Sequence, residues 1–229
     1  AELARLHRAG PATAAQAGAE LARLHRVASA TAASRHAPPG LHRAAPATAT
    51  ARDAPPGLHR AAPATGLPSA GDPCDGLAAA AEAVGALVPA LAPRARALAR
   101  RVADRLGERT GHPVPVHGDW SADQALLTSA GVVLVDLDRA RLDDPAVDVA
   151  GWIAAAHVAG EAPADPADAA SALLEGHAAA GGPPLHGRIA APTAAALLRR
   201  AVEPFRLRDP DWPDAIERLL ATAEHQLRC

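Results

Sequence analysis

The chain has 229 residues, enough for one or two domains, and a formal net charge of −2 built from 23 arginines, no lysine and 25 acids. That balance excludes a chain that is basic throughout, and no apolar run reaches the roughly 20 residues needed to span a bilayer. The two cysteines, Cys74 and Cys229, are far apart and form no CxxC pair. They fit a reduced cytoplasmic protein better than a disulfide scaffold.

The average hides two regions. Residues 1–70 hold eight arginines against three acids, net +5, whereas the remainder holds fifteen against twenty-two, net −7. The basic arm lacks aromatic residues for base stacking and a dense arginine block, so nucleic acid is not expected as a partner. The N-terminus has charges in its first eight residues and no apolar h-region, unlike a signal peptide. Lys, Asn, Met and Tyr are absent, Phe occurs once and Ile three times. The codons for these residues are AT-rich, so their joint scarcity points to a GC-rich genome. With Ala1 in first place and no Met, the sequence reads as a fragment of a longer reading frame.

In chain order, AELARLHR at 1–8 recurs at 19–26, and APPGLHRAAPAT at 37–48 recurs at 54–65. Identical copies so short and so close read as recent duplication rather than a solenoid. The Pro/Ala-rich pair has little to bury, so 1–70 is expected to be a largely disordered, low-complexity segment. Its exception is a short helix over Gly18–Val27, where Leu21, Leu24 and Val27 have helical spacing. From Asp72 onward a globular domain over 72–229 is expected. Asp75 is a candidate N-cap for a helix over roughly 76–107, interrupted near Pro89 and Pro93. Val114–Val116 is extended, residues 125–136 form a hairpin, and a helix begins at Asp144 or Asp148 and runs to about Ala159. Further helices are expected over 165–180, 189–203 and 213–227. The fold class is therefore α+β, mostly helical, with a small β element.

The informative stretch is HGDWSADQALL at 117–127, then GVVLVDLD at 131–138, then Asp144-Pro145 and Asp148-Val149-Ala150. A three-residue loop, Ser129-Ala130-Gly131, with Gly131 left-handed, pairs residue 128 with 132 and thus Gln124 with Asp136. Directly opposed side chains have Cβ atoms about 5 Å apart, so an amide oxygen and a carboxylate oxygen would both reach one hard cation. Asp119 lies in the loop leading into the same mouth and can accept the proton of an attacking hydroxyl. One such base and two oxygen ligands for Mg²⁺ match the phosphoryl-transfer pattern, which needs mainly positioning and charge neutralisation. A zinc site from His112, His117 and Asp119 converges poorly on a tetrahedron. Trp120 is expected to pack under the loop and Trp152 in the core.

HGDWSADQALL, VVLVDLDRA and LDDPAVDVA resemble the HGDxxxxN, DxD and GDPxxDLA segments of the aminoglycoside phosphotransferase/choline kinase family. The resemblance is strong over 113–157 and loose over 165–228, and Ala19–Arg26 is similar to that family's LA-x-LH helix. It implies the C-terminal lobe of a protein-kinase-like fold, ATP as donor and a small-molecule hydroxyl as acceptor. It further implies Asp119 as catalytic residue, Gln124 and Asp136 as Mg²⁺ ligands, and His117 as support for the catalytic loop. Asp148 would start a helix and bond back to that loop. Asp138 and Asp144 would touch the metal, support its site or cap a helix, the three being left open. Two departures stand out. Gln124 occupies the position where Asn is commonest, and the lysine-bearing N-terminal lobe of such kinases is expected to be absent. A catalytically inactive remnant or binding module is the alternative.

Overall fold

The computed structural model describes residues 11–34, 67–108, 112–128, 131–160, 166–185 and 187–228. The expectation of disorder for 1–10 and 35–66 lies outside the described residues. The helix expected over Gly18–Val27 is longer, α1 (Pro11–Ser34), and it is built into the fold, with Ala14, Ala17, Leu21, Ala22 and His25 all buried.

The expected interruption after Leu87 occurs where two prolines dictate it. Helix α2 (Leu77–Leu87) stops, a 3₁₀ turn spans Pro89–Leu91, and α3 (Ala92–Gly107) resumes. Val88, pushed out of the α region by the following proline, has φ −132° and ψ 85°. Asp75 is not the N-cap. That position is Gly76, left-handed at φ 78°, with no side-chain cap. Asp72 instead organises the approach, because its Oδ1 accepts from the Cys74 N–H at 2.8 Å and its carbonyl from the Asp75 N–H at 2.8 Å.

Two small antiparallel ladders follow. Strand β1 (Val114–Val116) pairs with β4 (Arg141–Asp143), and β2 (Ala125–Thr128) pairs with β3 (Gly131–Leu134). The β1–β4 pairing sets the site, since His117-Gly118-Asp119 leaves the end of β1 beside the start of β4. The other edge of β4 is bonded to the segment before α2, with Ala70 N–H on the Leu142 carbonyl and Leu142 N–H on the Pro68 carbonyl, both at 2.8 Å. The remaining helices are α4 (Ala146–Val158), α5 (Pro166–Ala179), α6 (Ala190–Arg200), α7 (Glu203–Arg206) and α8 (Trp212–Gln226).

Burial divides into two apolar clusters. One joins α2, α3, α6 and α8 around Val84, Leu98, Val102, Leu197, Ile216 and Leu220. The other joins α1 and α5 to the hairpin around Leu21, Trp120, Val132, Val149, Trp152 and Leu173. Helix α4 belongs to both, giving Ala154 to the first and Val149 and Trp152 to the second. Each fully buried leucine contributes about 2 kcal/mol. Helices α1 and α5 cross at backbone contact, which two glycines permit. A Cβ on Gly18 would collide with the Leu173 carbonyl, and one on Gly176 with the Ala15 carbonyl. No described helix is long and apolar enough to cross a membrane.

Candidate functional site

Asp148, in the first turn of α4, has a completely buried carboxylate that is nonetheless well supplied with donors. Oδ1 accepts from the Gly118 N–H at 2.8 Å, and Oδ2 accepts from the His117 N–H at 2.8 Å and from His25 Nε2 at 3.1 Å. Hydrogen bonds to an ionised acceptor are the strong ones, and here they fix the backbone immediately before Asp119. Gly118 has φ 86°, and a Cβ there would collide with the Arg139 carbonyl oxygen. Only glycine therefore suits this position.

The chain of buried groups continues through His25 Nδ1 to His177 Nε2 at 3.0 Å, with His25 wholly buried and His177 nearly so. With His25 Nε2 on the Asp148 carboxylate, one proton is shared between His25 Nδ1 and His177 Nε2. Burial, helped by neighbouring His25 and Arg26, pushes the His177 pKa from 6.5 down to about 4, while Asp148 opposes the shift weakly. Between these values the unfolded chain holds a proton that the folded chain refuses, so stability rises with pH across that window. Acidifying from pH 7 towards 4 is expected to cost about 3 kcal/mol at this residue. Urea unfolding should show the slope, and His177→Gln should flatten it.

His117 is itself buried, and its Nε2 donates to the Val135 carbonyl at 2.8 Å. That bond ties the loop before Asp119 to the strand end before Asp136. It engages one ring nitrogen of a buried histidine, while His112 lies exposed.

The hairpin register differs from the sequence expectation by one residue. Thr128 pairs with Gly131 and Ala125 with Leu134, leaving a two-residue connection rather than three, Ser129 and Ala130 lying outside the described residues. The Val135 N–H donates to the Gln124 carbonyl at 2.8 Å, so Gln124 faces Val135, not Asp136. A one-residue slip would place Asp136 on the opposite face of an extended ladder. Asp136 is not extended, however. Its φ of 61° and ψ of 57° are left-handed, so the pleat no longer sets its direction. A non-glycine residue held there stores backbone strain, a feature concentrated at functional sites. Asp136 begins a 3₁₀ turn over Leu137–Arg139, on which Asp138 is exposed. Asp144 caps α4, accepting from the Ala146 N–H at 2.8 Å and from Arg188 at 2.6 Å.

Sequence reasoning missed two arginines at Asp119. Arg200, the last residue of α6, donates to Asp119 Oδ1 at 3.0 Å and also pairs with Glu203 at 3.2 Å. Arg139 reaches Asp119 Oδ2 at 3.5 Å. No motif signals Arg200, which is 81 residues from Asp119 in sequence. A cleft of about 580 Å³ opens beside Asp119, walled by Trp120, β4, α6 and the segment 70–75. The LA-x-LH pattern did end on His25, but without a structure nothing joined it to His177.

As to cation binding, Gln124 and Asp136 offer an amide and a carboxylate oxygen, the donor types that suit Mg²⁺. No group of three or more His, Cys, Asp or Glu side chains among the described residues is arranged to hold a metal. Two protein oxygens with the rest supplied by water and phosphate is the usual Mg²⁺ arrangement at nucleotides, so the residues fit.

A family model described as the phosphotransferase enzyme family matches residues 2–182. The chain belongs to the phosphotransferase enzyme family. Among solved structures, this phosphotransferase-family chain is similar to a glucosamine kinase, with 22% identity, TM-score 0.51, 70% of this chain and 48% of that one covered. It is also similar to the macrolide 2'-phosphotransferase apoenzyme from Brachybacterium faecium, with 21% identity, TM-score 0.47, and 93% and 60% covered. A macrolide 2'-phosphotransferase type I aligns at 20% identity, TM-score 0.46, with 91% and 58% covered. The first likeness shows the fold, the mostly helical lobe of a kinase-like phosphotransferase. No curated protein matches the chain. This family member spans about half to three-fifths of the length of those solved structures.

Proposed function

We propose that this chain carries the acceptor-orienting and cation-holding part of an ATP-dependent phosphotransferase acting on a hydroxyl of a small molecule. The observation that carries the reading is the pair of ties on one short loop. Asp148 holds the backbone before Asp119, and His117 joins that loop to the strand end before Asp136. A proton acceptor and a cation ligand are thereby held in a fixed relation, as phosphoryl transfer requires.

In this reading the Asp119 carboxylate orients the acceptor hydroxyl and takes its proton as the oxygen bonds to the γ-phosphorus. The bond from that phosphorus to the bridging oxygen breaks, and ADP leaves with the electron pair. A carboxylate has about four lone-pair sites, so Asp119 can hold Arg200 and still receive the hydroxyl. Gln124 and Asp136 would hold Mg²⁺, which supplies charge neutralisation to the phosphate oxygens when bound. His117, His25 and Asp148 hold the loop and keep it dry.

Calorimetric titration with ATP, with and without Mg²⁺, tests the proposal. Binding is expected to depend on Mg²⁺ and to weaken tenfold or more in Asp136→Asn, the loss of one charge-assisted contact. ATP binding indifferent to Mg²⁺ and to this substitution would sink the assignment of Gln124 and Asp136. The chain contains no lysine to grip the α- and β-phosphates. An absence of any nucleotide binding in the folded chain would therefore favour a binding module over a catalyst.

A further inference from the structure

The cleft beside Asp119 is lined by five arginines and five carboxylates, unevenly paired. Neither Gln124 nor Asp136 lines it, whereas Asp119 and Arg139 do. Of the other lining acids Asp143 and Asp72 are engaged, whereas the Asp75 carboxylate pairs with no described residue. Asp143 pairs with Arg141 at 2.8 Å, and the Asp72 carboxylate accepts from the Cys74 N–H. Arg199 bonds the carbonyl of Asp75 at 3.0 Å, tying down the 73–75 turn.

At the Asp119 end, three guanidiniums, Arg139, Arg200 and Arg206, face two carboxylates, Asp119 and Glu203. Arg200 bridges both carboxylates. Arg139 touches only Asp119, at 3.5 Å, with 72% of its side chain exposed. Arg206, exposed on α7, has no acidic partner among the described residues. Two guanidiniums at the mouth therefore remain available to a ligand, and the fork geometry of guanidinium suits a planar carboxylate or a phosphate. An acceptor bearing several ammonium groups would meet like charge there.

Resting on the phosphotransfer reading, we propose that the acceptor is a hydroxy compound that also carries a carboxylate or phosphate, read by Arg139 and Arg206. The anion is assigned to the acceptor and not to the nucleotide, because Asp119 lines the cleft and Gln124 and Asp136 do not.

Titration of the full chain at low salt with gluconate, glucose 6-phosphate, glucose and glucosamine, followed by calorimetry, tests this. The two anions are expected to bind about fivefold or more tighter than glucose, with glucosamine weakest, since each partly exposed charge pair adds only modestly. In the Arg139→Gln, Arg206→Gln double variant the anions should fall to the level of glucose, with unchanged circular dichroism. Glucosamine binding best, an anion preference that survives the double variant, or no saturable binding of any probe would overturn the proposal. So would a variant that weakens Mg²⁺-dependent ATP binding and leaves the anion ranking alone, since the guanidiniums would then serve the nucleotide. A chain that ranks the four probes as expected but binds no Mg²⁺ or ATP would instead overturn the phosphotransfer reading and leave a cleft for hydroxy anions.

Discussion

Asp148→Ala is expected to destabilise the chain by about 3–5 kcal/mol, the usual cost of removing one partner from a buried charged network. The carboxylate is fully buried and receives hydrogen bonds from His117, Gly118 and His25. Its loss leaves two backbone N–H groups and an imidazole with no acceptor, and each such orphan costs about 1–3 kcal/mol. Since many domains are stable by only about 5–15 kcal/mol, a large part of the total is at stake. Urea unfolding would measure the loss. Asp148→Asn keeps one carbonyl oxygen for the loop and should retain more stability than alanine. Amide exchange at Gly118 separates a local from a global effect, because that N–H should lose protection in the alanine variant even where the core keeps it. Wild-type protection at Gly118 in the alanine variant would contradict the role assigned to this carboxylate.

Asp119→Asn is expected to lower the rate of phosphoryl transfer to an acceptor hydroxyl by about 10²–10⁴-fold, the range for loss of a positioned general base. Stability should change by less than about 1 kcal/mol, because Asp119 is part-exposed, Arg139 is solvated and Arg200 keeps its pairing with Glu203. The contrast with Asp148 is the diagnostic feature. One acid supports the loop and its removal reads in unfolding; the other faces the cleft and its removal reads in turnover. A rate within threefold of wild type in Asp119→Asn would remove Asp119 from the chemistry.

Much of the helical framework was legible in the sequence, because apolar spacing and proline are local signals. Leu77, Val84, Leu98, Val102 and Leu106 are buried as their spacing implies, and the break falls where Pro89 and Pro93 place it. The helices expected over 165–180, 189–203 and 213–227 match α5, α6 with α7, and α8 within a few residues. The ends were less legible. Asp75 has the composition of an N-cap, yet Gly76 takes the position because the chain enters α2 in a left-handed conformation. The hairpin was legible and its register was not. A glycine at the turn suits a longer loop, but here Gly131, at φ 124°, pairs with Thr128 inside the ladder. The motif residues His117, Asp119 and Asp148 were visible because they lie in short segments that resemble those of a known family. Their partners His25, His177, Arg139 and Arg200 were not assigned roles, because tertiary packing alone brings them in.

The polar chain beneath the loop also sets an order of events during folding. His25 meets Asp148 across 123 residues of sequence and His177 across 152. Contacts so distant along the chain are slow to form, since loop-closure entropy must be overcome before they stabilise anything. The loop carrying Asp119 therefore cannot mature with its own hairpin; it awaits the docking of α1 onto α5. A polypeptide emerging from the ribosome would possess α2, α3 and the hairpin before it possessed a finished site. Competence would arrive only when residues near 177 close the circuit with a helix synthesised long before.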